Sequence, residues 1–266
     1  MAQVTDTIIE RVSPRSLVDL LMEMCRVAIE CGCSSNRVEM LVTRLGEAWG
    51  FSVEAAALPT AVWLSVRGRG QQIVELVRVA NWGIDLNRLA ALNELVDQVE
   101  SRQMHLDEAV QRLKAIGQEP SPYPRFLSIF AGGGSAFALV AASSGRGYEL
   151  IAAFILGLIC QLSLRFFSEG NRKYLAEFFT AMLVAGGAAG LSTIWSDINV
   201  PRLIVGGLIS LAPGLPFVNA LHEVAQKNLV SGAARLLEAV VTAITLAFGV
   251  AAVLGFAHYI ERWGQN

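Results

Sequence analysis

Residues 203–222 read LIVGGLISLAPGLPFVNALH. Twenty residues without a formal charge are about what a helix needs to cross the hydrocarbon core of a bilayer. Pro213 and Pro216 have no amide to donate, and Gly214 accepts backbone angles that other residues avoid. A membrane helix carrying PGLP should therefore break. Irregular backbone at that depth survives only where protein or a wet cavity surrounds it, and transporters build substrate sites from such helices. The carbonyls of Ser210, Leu211 and Ala212 are expected to lose their helical donors. A new half-helix is expected past Pro216, with a partial positive charge at its N-terminus that favours a carboxylate. Asn219 adds an amide one turn on. The competing account is a kink that neighbouring helices repair.

Outward from this run the chain divides by charge. Residues 1–125 hold 29 of the 44 charged side chains. Over residues 1–125 the pattern is soluble. Helical spacing predicts helices over Ser16–Glu30 and Ser35–Trp49, with Gly32 and Gly50 as stops. A period of two predicts strands over Phe51–Leu58, Thr60–Arg67 and Gln71–Val79, with Gly68 and Gly70 at the second turn. Asn81–Asp85 reads as a loop. Helical spacing returns over Leu86–Gln103 and Leu106–Ile116. The expectation is a small α+β domain over 1–119 and a stiff proline-rich linker over 120–125. A transmembrane all-α bundle of five helices over 126–266 follows, one of them broken at Pro213–Pro216.

The five spans are predicted at Phe126–Ser144, Tyr148–Phe166, Leu175–Trp195, Leu203–His222 and Leu236–Tyr259. With the domain in the cytosol, Arg125, Arg165, Arg172, Lys173, Lys227 and Arg235 lie inside. Arg146, Arg202 and Arg262 lie outside, as the positive-inside rule asks. Tyr148, Trp195, Tyr259 and Trp263 then mark the outer interface. The first sixteen residues, with Asp6 and Glu10, lack the apolar core of a signal peptide. The N-terminal domain is thus expected in the cytosol and the C-terminus in the periplasm. Gly132, Gly133, Gly134, Gly206, Gly207 and the Gly186/Gly190 spacing supply small faces for helix packing. An odd span number would set a homologous five-span partner upside down, as inverted repeats require.

Acids at span ends are candidates for proton coupling: Glu149, Glu177, Glu238 and above all Glu223, expected to form with its neighbour His222 a pair that couples transport to protons. Ordinary interfacial charge is the alternative for each. Gln161 is a further polar residue at depth. Other chemistries lack their residues. Net charge of −2 argues against nucleic acid. Cys25, Cys31, Cys33 and Cys160 do not have zinc spacing and are expected as free thiols. His105, His222 and His258 stand without a nucleophile motif, and no phosphate-binding loop appears. No catalytic, metal or cofactor site is expected.

Several stretches together resemble the threonine/serine exporter family over nearly the full length: CGCSSNRVE (31–39), RVANWGIDLNRLAALNELV (78–96), AVQRLKAIGQEPSPYPRF (109–126), LISLAPGLPFVNALHEV (208–224) and LVSGAARLLEA (229–239). The resemblance implies about ten spans in single-chain members. It also implies a split form in which this chain is the larger subunit and a second small membrane protein supplies the remaining spans. Substrates implied are succinate and related dicarboxylates, or threonine and serine. The resemblance implies aspartate in many relatives where this chain has Glu149 and Glu223.

Two functions are weighed. The leading one is a subunit of a secondary-active exporter of small carboxylates in a bacterial inner membrane, in a homo- or hetero-oligomer. Its substrate would meet Ser210, Pro213, Gly214, Pro216, Asn219 and Gln161. The other is a membrane-anchored sensor or scaffold whose soluble domain does the work.

Overall fold

The computed structural model describes residues 13–79, 83–101, 104–120, 123–145, 147–167, 172–195 and 197–264. The expectations for Asp6, Glu10, Arg146 and part of the 81–85 loop and 120–125 linker lie outside the described residues. So do those for the side chains of Arg262 and Trp263. The chain separates into two compact units. One is Met1–Ser121 with Val218–Leu236; the other is Pro122–Phe217 with Leu237–Asn266.

In the first unit, α1 (Pro14–Glu30) starts where Ser13 Oγ accepts from Ser16 N at 3.0 Å, with Pro14 in the first turn. It stops at Gly32, whose φ of 82° is the left-handed cap glycine tolerates. Gly32 has a second reason to be glycine. A Cβ there would sit 2.5 Å from the carbonyl oxygen of Gly83. α2 (Ser35–Ala48) follows, then β1 (Ser52–Leu58), β2 (Ala61–Gly68) and β3 (Gln71–Arg78). Both joins are two-residue hairpins, paired Leu58 with Ala61 and Gly68 with Gln71. At the second, Arg69 and Gly70 both take positive φ, which matches the twist of the flanking strands. The sheet order is β1-β2-β3, antiparallel throughout.

Val53, Ala57, Val62, Leu64, Val66 and Val77 face inward. A one-residue slip would turn them all to solvent, so burial fixes the register. α1 and α2 cover that face, α3 (Leu86–Glu100) lies on α2, and α4 (Leu106–Gln118) lies on α1 and α3. α3 ends at Glu100, and the predicted end at Gln103 lies outside the described residues. Cys25, Cys31 and Cys33 are free, buried thiols. Burial pushes them up from an ordinary 9.0 to about 12, 12 and 11.

The second unit holds α5 (Arg125–Ala142), α6 (Tyr148–Phe167), α7 (Lys173–Ile194) and α8 (Val200–Leu208). α9 (Gly214–Ala225) and α10 (Leu229–Gly264) run from one unit's residues into the other's. Among the described residues, four helices are long and apolar enough to cross a membrane: α5, α6, α7 and α10 over Leu229–Tyr259. The count becomes five if the bent pair Val200–Leu211 and Gly214–Ala225 is one span. α10 starts seven residues before the predicted Leu236, because the polar LVSGAAR turn is itself helical.

Glycine decides how closely these helices approach. A Cβ on Gly157 would lie 2.5 Å from the Gly132 carbonyl oxygen and 2.9 Å from Gly133 Cα, so α5 and α6 touch backbone to backbone. Gly206 and Gly207 instead meet mainly the side chains of Val140, Val184 and Leu156. The predicted Gly186/Gly190 pair is not used this way; nothing lies within 4 Å of a Cβ on Gly190. Tyr148 and Trp195 stack at 5.5 Å between ring centres, as two residues of one interface can. α7 and α10 run in the same direction. Lys173 Nζ donates to Glu238 at 2.8 Å, Glu177 hydrogen-bonds Thr242, and Gly249 packs against Phe178 and Ala181.

Candidate functional site

The run that opened the sequence reading is broken in the structure. α8 tightens at Ile209–Leu211 into a single 3₁₀ turn, and α9 leaves at 61° from the preceding segment. The cause is the two prolines. In a continuous helix Ile209 O and Ala212 O would receive the amides of residues 213 and 216, which are absent. Ala212 N donates to Ile209 O at 3.2 Å instead, and Gly214 N to Ala212 O at 2.8 Å. Two expectations are thereby corrected. Ala212 O is not an open acceptor, since the local turn claims it. The new half-helix begins at Gly214, not past Pro216, because proline is tolerated in the first turn of a helix.

The position of the break can be read inside its own unit. Glu149, on the first turn of α6, accepts from Asn199 N at 2.8 Å and from Arg202 Nη1 at 2.9 Å, where α8 begins. Ser210 Oγ lies 3.7 Å from Cys160 Sγ. Eleven residues separate Glu149 from Cys160, roughly 16 Å of helical rise, a length comparable with half of a ~30 Å hydrocarbon core. Ser210 and Gly214 are exposed in the isolated chain, and Pro213 and Pro216 half-buried. Gln161 follows Cys160 but turns to α5, where its side chain covers Gly132. Asn219 is half-buried on α9 and groups with the first unit, whereas Ser210, Pro213, Gly214, Pro216 and Gln161 belong to the second.

The acids have separate surroundings. Glu149 is 7% exposed and paired with Arg202. Glu238 is paired with Lys173. Glu177 is 4% exposed, and no lysine or arginine lies within ion-pair distance of it among the described residues. One of its carboxylate oxygens has no hydrogen-bond partner, nor does the hydroxyl of fully buried Thr180 one turn on.

Glu223 is fully buried in the first unit, and the expected pairing with His222 is not formed. Adjacent helical residues point about 100° apart, so one faces in and the other out. His222 is exposed, with Nε2 2.8 Å from Gln226 Nε2. Glu223 Oε1 accepts from Ser35 N at 2.9 Å, at the first turn of α2, and from Arg235 Nε at 3.1 Å. Arg235 Nη2 donates to Cys33 O at 2.6 Å, and Ser231 Oγ to Ala57 O at 3.2 Å. This network was not anticipated. Its signal in the sequence is that all of its residues except Ala57 come from three of the stretches quoted above, CGCSSNRVE, LISLAPGLPFVNALHEV and LVSGAARLLEA.

A multi-pass membrane protein with a small α+β unit and a proline-broken membrane helix is the class these features define. The family described as "Putative threonine/serine exporter" (ThrE) matches residues 19–257, and the chain belongs to that family. Among curated proteins it is similar to the "Probable succinate transporter subunit YjjP" of Klebsiella aerogenes, 22% identical over 94% of this chain and 95% of that protein. It is similar to the "Probable threonine/serine exporter" of Mycobacterium tuberculosis, 21% identical over 91% of this chain and 46% of that protein. It also matches "Pheromone-regulated membrane protein 10" of Candida albicans (strain SC5314), 28% identical over 90% of this chain and 22% of that protein. The chain thus spans a third or less of the length of the fungal relatives it matches, and about half of the mycobacterial one. No solved structure matches it.

Proposed function

We propose that this chain is one subunit of a secondary-active exporter of small carboxylates, either a succinate-like dicarboxylate or threonine and serine. A second small membrane subunit of about five spans completes it, in a bacterial inner membrane. The observation that carries the reading is the break at residues 209–214, open in the isolated chain. In the first turn of α9, Gly214 N is bonded to Ala212 O, Phe217 N to Pro213 O, and Pro216 has no amide, so Leu215 carries the amide that turn can offer, and the partial charge of that terminus stabilises a carboxylate on either substrate. Ser210 supplies a polar side chain beside it.

Five crossings fit the parallel course of α7 and α10. A chain that leaves one face along α7 must return before it can set out again in the same direction. The bent pair between them is the only described apolar segment able to bring it back, so we read it as a full crossing. The N-terminal unit then lies in the cytosol and the C-terminus in the periplasm. The coverage of the Klebsiella relative, named as a subunit, supports the split organisation. Of the coupling candidates Glu149, Glu177, Glu223, Glu238 and His222, we assign proton coupling to Glu177. The other three acids are held by Arg202, Arg235 and Lys173.

The test is counterflow in proteoliposomes containing the chain and its partner. Labelled succinate, threonine and serine are each offered against an internal pool. The wild type should exchange one of them, and Pro213→Ala/Pro216→Ala should reduce exchange at least roughly ten-fold at equal expression. Undiminished exchange by that variant removes the site. No exchange by the wild type removes the function.

A further inference from the structure

Where α6 ends and α7 begins, a cleft of about 710 Å³ opens on the membrane unit, lined by Leu162, Arg165, Phe166, Phe167, Arg172, Leu175, Ala176 and Phe179. Its floor is aromatic. Phe166 and Phe167 meet edge to face at 5.2 Å, and Phe167 and Phe179 lie 5.4 Å apart. Phe166 is 78% exposed, so this apolar surface is left for something else to cover. Both arginines are exposed. Lys173 beside them is tied to Glu238 and Arg202 to Glu149, but Arg165 and Arg172 have no ion pair among the described residues. A guanidinium is a planar donor suited to phosphate.

We propose that this cleft binds an anionic phospholipid, its phosphate held by Arg165 and Arg172 and its first acyl methylenes laid on Phe166, Phe167 and Phe179. Three features select a lipid. The cleft lies at the ends of two membrane helices, where hydrocarbon gives way to headgroups. Its mouth is positive and its floor apolar, the polarity order of a phospholipid read inward. A soluble dicarboxylate would satisfy the arginines and leave the phenylalanines bare. Basic pockets between membrane helices hold anionic headgroups in this way. The inference needs only a membrane-spanning chain, so it stands or falls apart from transport.

The experiment uses the full chain in neutral detergent, titrated with phosphatidylglycerol or phosphatidylcholine. The readouts are lipid retained in native mass spectra and the thermal midpoint. The wild type should retain phosphatidylglycerol preferentially and be stabilised by it. Arg165→Gln/Arg172→Gln should bind it roughly thirty-fold more weakly, from the usual contribution of two basic residues at a lipid surface. Arg165→Lys/Arg172→Lys should keep most of the preference. Arg125→Gln, at the start of α5, should change nothing, and millimolar inorganic phosphate should neither stabilise nor compete. If the double glutamine variant does not purify, the two single variants each read out part of the loss. The proposal is overturned if the glutamine variants keep the preference, or if Arg125→Gln removes as much of it. It is also overturned if inorganic phosphate reproduces the shift, which would mark a simple anion site.

Discussion

Replacing Arg235 by methionine should unlatch Val218–Leu236 from the unit it packs in. The arginine is 8% exposed and spans two contacts, to Glu223 Oε1 and to Cys33 O. Methionine restores most of the volume but neither bond. Glu223 is left fully buried, with Ser35 N as its remaining partner. Stranding one charge of a buried pair typically costs about 3–5 kcal/mol. Arg235→Met should therefore lower the opening free energy of this unit by that amount. Glu223→Leu/Arg235→Met, with no charge left to strand, should recover much of it, since apolar replacement of a buried pair is often neutral. Buried Cys25, Cys31 and Cys33 provide the assay. In a Cys160→Ala background, labelling by a thiol reagent under native conditions reports opening of this unit alone. A drop of about 4 kcal/mol raises the labelling rate by roughly 10³ when opening is at equilibrium. A rise of less than about five-fold would refute the reasoning. So would single-variant effects that add to within ~0.5 kcal/mol of the double, since a true pair must couple.

Gly157→Leu should abolish or strongly destabilise the folded membrane unit, by about 1–3 kcal/mol or more, because its neighbours on α5 are backbone atoms that cannot step aside. Gly190→Ala should be neutral or slightly stabilising in the same thermal assay, since a Cβ there meets nothing within 4 Å. Alkali should destabilise the first unit. Its thiols ionise near 9.0 when unfolded and near 11–12 when folded, so their contribution is whole below pH 9 and is lost as pH rises from there. Urea midpoints taken between pH 8 and 11 should fall less steeply in a Cys25→Ala/Cys31→Ala/Cys33→Ala variant. Hydrogen bonds from Arg44 hold the Glu100 carboxyl below its ordinary 4.5. That pair stabilises above pH 4.5 and fades as pH falls through the lowered value. It is partly exposed, so Glu100→Gln should cost under ~1 kcal/mol at pH 7 and nothing at pH 2 by the same denaturation.

Local chemistry made the elements legible. The alternation through Val53, Ala57, Val62, Leu64 and Val66 marks a half-buried sheet, and Gly32 and Gly70 stand at positive φ, which glycine adopts at least cost. Pro213 and Pro216 announced a break that the structure bends by 61°. What periodicity hid was long-range. Hydropathy reads Leu215–His222 as one run, yet Val218–Leu236 groups with Met1–Ser121 through Glu223, Ser231 and Arg235. Glu223 beside His222 reads as a titrating pair only along the chain. In space its partner is Arg235, twelve residues on, together with an amide 188 residues earlier. The Gly186/Gly190 spacing suggested a crossing that Gly157 makes instead, because only the partner helix decides which small face is covered. Likewise the turn that consumes Ala212 O depends on two amides being absent at once, which a residue-by-residue reading misses.

The contact at Gly157 also bears on which parts can move. Main chain against main chain leaves no side-chain rotamer to absorb sliding, so α5 and α6 should travel as one welded piece during any transport cycle. Gly206 and Gly207 on α8 rest against valine and leucine side chains, which can change rotamer as bearings do. Freezing α5 to α6 with an engineered cross-link should therefore leave turnover untouched, while pinning α8 to α7 should stall it.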